Sequence, residues 1–221
     1  MATVVPVSDA VLVPGWVTDI DSFHRWLDTD PLPERARAWF LRGRVWVDLS
    51  MEQLYTHIEV NTEITTVLRL LTRAGRLGRV FGDGTRLVNR AGDLSGEPDM
   101  TFVGAGAMAA ERIVNVPGQS SGFVALEGTP DMVLEVVSDS SVTKDTATLL
   151  DAYFAAGIPE YWLVDARGGD AEFLIFTRAA EGYAPATGAE KWMPSMVFGN
   201  SFRLTQTAGE DGNPEFTLEV R

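Results

Sequence analysis

The sequence predicts an α/β fold, a mixed sheet flanked by helices with β-rich extensions at both ends. Three observations carry this. From Met51 to Ala74, Ile58, Ile64, Val67, Leu68 and Leu71 recur at helical spacing. Separate short runs, among them "DMTFV", "MVLEVVS" and "EYWLVD", are apolar and rich in β-branched or aromatic residues, as buried strands are. Through the centre the order is helix, two strands, a strand with Asp99, a strand with Glu135, helix, strand.

In chain order, residues 20–28 ("IDSFHRWLD") read as a short helix closed by Pro31 and Pro33. "AWFLRGRVWVDLS" reads as a hairpin turning near Arg42-Gly43. Gly75 and Gly78 end the long helix, and "RLGRVFG" and "TRLVNR" follow as strands joined at Gly82-Asp83-Gly84. "AGDLSG" is expected to be a loop before the strand "EPDMTFV". Residues 104–122 hold a short helical stretch around Ala107–Ile113 and then Pro and Gly punctuation. "FVALEG" and "DMVLEVVS" are strands. A helix over Val142 to Ala156 can be capped by Asp139, Ser140 or Ser141 and closed by Gly157. "EYWLVD", "AEFLIFTR" and further β-rich pieces complete the chain. No linker divides it, so residues 1–221 are expected to form one domain.

Composition removes several classes of function. No cysteine is present, which excludes disulfides, zinc–thiolate clusters and a thiol nucleophile. No apolar run approaches the roughly 18 residues of a membrane helix, and "MATVVPVSDAVLVPG" lacks the basic region of a signal peptide. A cytoplasmic protein with no membrane association is expected. Acidic residues outnumber basic ones 31 to 18, a net charge of −13, which argues against non-specific wrapping of nucleic acid. Only Lys144 and Lys191 are lysines. There is no Walker A loop, HExxH or Gly-x-Ser-x-Gly motif.

The chemistry concentrates on two acidic strands. Glu135 lies between Val133 and Val137 and points the same way as both, into a core that would penalise an unpartnered carboxylate. Asp99 stands at the start of "DMTFV". On neighbouring strands the two acids would raise each other's pKa unless a cation sits between them. With no soft ligand nearby, Mg²⁺ or Mn²⁺ suits such a pair, and acids that merely face solvent or pair with arginines are the plain alternative.

"EPDMTFV", "PDMVLEVVSDSS", a helix entered through Asp145, and "YFAAGIPEYWLVD" together resemble the Uma-two family of bacterial endonucleases in the PD-(D/E)XK nuclease superfamily. The resemblance runs from about Trp39 to Arg178, and "Y-x₃-G-I-P-E-Y-W-L-V-D" (Tyr153 to Asp165) is its most specific part. It implies a restriction-endonuclease-like core over about residues 51–178, DNA as substrate, Mg²⁺ or Mn²⁺ as cofactor and room for a homodimer. It also implies that Asp99 and Glu135 are the metal-binding acids, with a backbone carbonyl near Val136–Val137 completing the shell.

The third element departs from the pattern. The superfamily lysine two residues after the glutamate is Val137 here. The variant position four residues after the helix aspartate, Asp145, is Leu149. An apolar residue therefore stands where relatives orient water, and weak or absent activity is the expectation, a silent scaffold being the alternative to a nuclease. Lys144 is the remaining candidate. In an α-helix five residues turn a side chain about 140° and move it about 7.5 Å along the axis, which directs Lys144 to the solvated side away from Leu149. Its long stem keeps a catalytic role open.

On the first core helix, Glu59 and Glu63 share a face and are candidates to line the cleft, and His57 is expected to be structural or to support the site from behind. Gly104-x-Gly106-x-x-Ala109, with Glu127 further on, imitates a dinucleotide fingerprint, but its helix is short and loop-broken. The aromatic strands are expected to be core.

Overall fold

The computed structural model describes residues 11–33, 36–118 and 121–221. The opening stretch through Ala10 lies outside them. Helix α1 (Ile20–Thr29) starts in a capping box, where Asp19 accepts the Ser22 N–H at 2.7 Å and the Ser22 hydroxyl accepts the Asp19 N–H at 3.0 Å. It buries Ile20, Phe23 and Trp26 against Ala38 and Phe40 of β1 (Arg37–Leu41), which turns back into β2 (Arg44–Asp48). A π-helical turn, Leu54–Glu59, leads into α2 (Val60–Gly75), whose buried stripe is Val60, Ile64, Leu68 and Thr72.

Strands β3 (Gly78–Phe81), β4 (Arg86–Asn89), β5 (Leu94–Gly96) and β6 (Met100–Gly104) follow, then the single-turn helix α3 (Ala105–Ala109). Next come β7 (Ile113–Pro117), β8 (Phe123–Gly128) and β9 (Met132–Val136). A second π-helical turn, Lys144–Thr148, opens α4 (Leu149–Ala155). The chain closes with β10 (Glu160–Asp165), β11 (Glu172–Arg178), β12 (Tyr183–Pro185), β13 (Met193–Ser195), β14 (Asn200–Ala208) and β15 (Pro214–Val220).

The central sheet has the order β12-β11-β10-β9-β6-β3, with β9 and β10 parallel and the other pairs antiparallel. This is the expected mixed sheet, and α2, β3, β6, β9, α4 and β10 follow the predicted order, except that the second strand predicted before Asp99, β4, joins another sheet. Met132, Leu134 and Val136 pack on one face with α2 and the C-terminal strands. Val133 and Val137 pack on the other with α4.

Two details differ from expectation. The turn at Gly82-Asp83-Gly84 does not close a hairpin. Instead it carries the chain into a second six-stranded sheet, β2-β1-β5-β4-β8-β7, because Val80 packs in one core while Leu87 packs in another. "AGDLSG" and the stretch after α3 supply β5 and β7 to that sheet. Neither is periodic enough to read as a strand alone, since both take their pairing from distant partners. The C-terminal extension is antiparallel as expected, forming the third sheet β13-β14-β15. No helix among the described residues is long and apolar enough to cross a membrane.

His24 of α1 is half-buried with Nε2 2.8 Å from the Ser95 hydroxyl. Burial, then repulsion from Arg86 and Arg90, lowers its pKa below 6.5. The unfolded chain therefore takes up this proton first, and stability is lost as pH falls through 6.5 towards the folded-state value. His24→Gln should shrink the stability difference between pH 7.5 and pH 5 in urea titrations. An unchanged difference would refute this.

Candidate active site

Two adjacent strands bring the predicted acids together. Met100 pairs with Leu134, and continuing that antiparallel register sets Asp99 opposite Glu135. Asp99 Oδ2 accepts the Val136 N–H at 2.7 Å, and the Asp99 carbonyl accepts from Asn61 Nδ2 at 3.2 Å, so strand and helix both fix it. Glu135 faces α4 beside Val133 and Val137, where its Oε1 accepts the Tyr153 hydroxyl at 2.5 Å. Both carboxylates are almost fully buried and line one cavity of about 30 Å³, room for an ion or a water or two. Arg37, Trp39, Asp48, Glu52, His57, Lys144 and Asp145 also line it.

The expectation of a solvated Lys144 is overturned. Its side chain is buried, with Nζ 2.7 Å from Asp145 Oδ1, 3.9 Å from Glu135 Oε2 and 4.0 Å above the Trp39 ring. The reason is local geometry. The Leu149 N–H bonds the Lys144 carbonyl, an i→i+5 link, so residues five apart approach one face instead of standing 140° apart. Leu149 is fully buried in the core beside the Glu135 strand, in line with its place on the apolar stripe. Trp39 reaches Lys144 because Gly96 makes room for it. A Cβ at Gly96 would lie 2.0 Å from Trp39 Cδ1. Lys191 is remote, paired with Asp170 at 2.6 Å.

His57, also in a π-helical turn, lines the cavity and faces Asp99. Its Nε2 is 3.3 Å from Asp99 Oδ2 and its Nδ1 3.5 Å from Glu52 Oε2. Burial disfavours its charge, but the two carboxylates outweigh burial and push its pKa up to about 10. Arg37 pairs with Glu52 and with Asp83 (2.7 Å), and its Nη1 is 3.4 Å from Asp99 Oδ1.

Burial would raise the Asp99 carboxyl, yet His57, the Val136 N–H and Lys144 hold it below its ordinary value. Burial pushes Glu135 well up, opposed by Lys144 and reinforced by Asp99 and Asp145. Burial would discharge Lys144, but Glu135 and Asp145 keep it a cation. Carboxylates and cations thus alternate around the cavity.

Glu52, Arg37, Trp39 and Asp48 were not singled out by sequence. Only Glu52 left a signal, a polar residue one helical turn or so before His57. Glu63 does not line the cavity, because its carboxylate accepts the Leu218 N–H at 2.9 Å and holds β15 to α2. Glu59 is also absent from the cavity wall. The fingerprint-like glycines carry no cofactor geometry. The Gly104 N–H is taken by Asp131 at 2.6 Å, Glu127 pairs with Arg90, and α3 is one turn long.

The specific motif from Tyr153 onward acts as scaffold. Tyr153 holds Glu135, Gly157 takes φ +79° at the end of α4, and the Tyr161 hydroxyl donates to the Asp145 carbonyl at 2.9 Å. Glu160 is fully buried and accepts from Trp162 Nε1, the Ser195 hydroxyl and the Met196 and Val197 N–H groups.

Glu52, His57 and Asp99 each offer a ligand atom within 4.8 Å of the others, a set with room for a cation. Two carboxylates and an imidazole suit Mn²⁺ well and Mg²⁺ through the oxygens. This group shares Asp99 with the expected pair but adds Glu52 and His57.

Comparison with known proteins bears on the fold and the family. Among solved structures, the chain is similar to one described as a "putative nuclease belonging to DUF820" from Anabaena variabilis ATCC 29413. The two share 20% identity at a TM-score of 0.55, covering 82% of this chain and 90% of that one. No curated protein matches the chain. A family model described as "Putative restriction endonuclease" matches residues 20–207, so the chain belongs to the Uma2 family.

Proposed function

We propose that the protein is a divalent-metal-dependent endonuclease that hydrolyses phosphodiester bonds of DNA, with Asp99, Glu135 and Lys144 as its catalytic residues. The observation that carries this reading is the burial of two carboxylates and a lysine around one small cavity. Without a ligand or a reaction to serve, such charges are a net cost.

Asp99 and Glu135 would hold Mg²⁺ or Mn²⁺, with Glu52 and His57 available beside Asp99. His57 can ligate only after losing the proton it carries between the carboxylates. A metal bound there supplies a lowered pKa for water and an offset for phosphoryl charge. The chain's own residues do the rest. Tyr153 and the Val136 N–H fix the two acids. Asp145, itself held by the Ser141 hydroxyl, and Trp39 keep the Lys144 ammonium in place as a positive charge beside the cavity. Lys144 thus takes the part of the helix lysine from five residues earlier, and Leu149 does not imply inactivity.

Cleavage of single-stranded, double-stranded and branched DNA in Mn²⁺ tests this. Asp99→Asn and Glu135→Gln should each lower the rate by at least about 100-fold. Calorimetry should show weaker Mn²⁺ binding in both. Equal Mn²⁺ binding by wild type and both variants would remove the metal site, and absence of cleavage on every substrate would leave the silent scaffold.

A further inference from the structure

Many arginines in this acidic chain are tied to carboxylates. Arg86 pairs with Glu97, Arg90 with Asp21 and Glu127, Arg112 with Asp131, Arg167 with Asp165 and Arg203 with Glu219. Arg69, Arg73 and Arg79 form no ion pair among the described residues. All three are exposed, and they line one groove of about 560 Å³ between the C-terminal half of α2 and strand β3. The cluster is visible in the sequence, where the stretch from Ile64 to Gly82 holds four arginines and no acidic residue. Arg69 and Arg73 are four apart and share a helix face. Strand β3 is the edge of the central sheet, so no further strand covers the groove. Exposed Leu70 and half-buried Phe81 add apolar surface to its lining.

The Phe81 end of the groove lies near the site. Phe81 pairs with Thr101, two residues beyond Asp99, and Asp83 just after β3 is held by Arg37 of the cavity. Along α2, Arg69 and Arg73 stand about 14 and 20 Å from Val60 at its start, at 1.5 Å per residue. Unpaired cations in a groove near a phosphodiesterase-like cavity, with apolar surface among them, match a strand of nucleic acid. Guanidinium groups bind phosphates strongly, and apolar side chains receive bases without reading sequence.

We propose that this groove binds a nucleic-acid strand running from the cavity along α2, with Arg69, Arg73 and Arg79 on its phosphates and Leu70 and Phe81 against its bases. The proposal rests on the nuclease reading for the identity of the ligand. It adds a binding surface distinct from the cavity.

Fluorescence anisotropy with a labelled single-stranded oligonucleotide in EDTA tests it, because binding is then measured without cleavage. Arg69→Ala/Arg73→Ala/Arg79→Ala should weaken binding at least tenfold. It should also reduce the slope of log K against log salt by about 2, since each lost phosphate contact on a single strand removes about 0.7. Lysine at the three positions should recover much of the affinity. The control pair is Arg42→Ala/Arg44→Ala on the β1–β2 turn, also without ion pairs among the described residues, and it should bind as wild type does.

Wild type that does not bind, a triple variant that binds equally, or a control pair that loses as much would each overturn the groove. If wild type still cleaves DNA in Mn²⁺ under any of those results, the nuclease reading stands alone. Binding lost only in the triple variant, with no cleavage by wild type, would keep the groove and remove the nuclease. The other occupant that charge permits is a second copy of this acidic chain. Sedimentation showing a wild-type dimer that the triple substitution dissociates would assign the groove to that contact and overturn the proposal.

Discussion

Replacing Lys144 by leucine should lower Mn²⁺-dependent cleavage by about 100- to 1000-fold, the range seen when one charge-stabilising donor is removed from an active site. The lysine is the cation nearest Glu135, held over Trp39 and kept charged by Glu135 and Asp145. The variant should still fold, because leucine fills much of the same volume and the Tyr153 hydroxyl still holds Glu135. The more telling variant is the exchange Lys144→Leu/Leu149→Lys. The π-helical turn brings the two positions toward one face, so a lysine at 149 approaches the cavity from the position its relatives use. The exchange should recover at least about tenfold over Lys144→Leu. Leu149→Lys alone sets a second cation in a fully buried position next to the first, and should cost several kcal/mol of stability. Cleavage by a folded Lys144→Leu protein at the wild-type rate would remove Lys144 from the mechanism. An exchange variant no better than the single substitution would show that position 149 cannot deliver its charge.

Glu160→Ala should destabilise the fold by more than about 3 kcal/mol. The side chain accepts four hydrogen bonds, from Trp162 Nε1 (3.0 Å), the Ser195 hydroxyl (2.7 Å) and the N–H groups of Met196 (2.5 Å) and Val197 (3.0 Å). Each donor stranded by truncation loses about 1–3 kcal/mol if it stays buried. These bonds fasten the β13–β14 connection to β10, beside the packing of Trp162 on Phe173, Phe198 and Phe202. Hydrogen exchange should therefore accelerate in β13, β14 and β15 before it does in β6 and β9. Urea unfolding measures the total, and a loss below about 1 kcal/mol would show that Glu160 is dispensable. Glu160→Gln retains one acceptor oxygen but turns an NH₂ toward donors, and should fall between the two.

The sequence by itself determined the core elements and the faces of their residues. The apolar spacing of α2 and the alternation in β9 follow from backbone periods of 3.6 and 2. Hence Glu135 could be assigned to the face of Val133 and Val137 before any contact was known. The family motifs likewise located Asp99, Glu135 and the segment from Tyr153 to Asp165. Only the tertiary structure decided the composition of the cavity. Arg37 and Trp39 belong to a different sheet and Glu52 to the segment leading into α2, and no local pattern announces a neighbour that is close only after folding. The same holds for β5 and β7, short strands whose pairing comes from partners far along the chain. Lys144 shows the reason most directly. Regular α-helical geometry sends it to solvent, but in the folded chain the first turn is π-helical, and with that change in hydrogen-bonding partner the charge lies in the site and not on the surface.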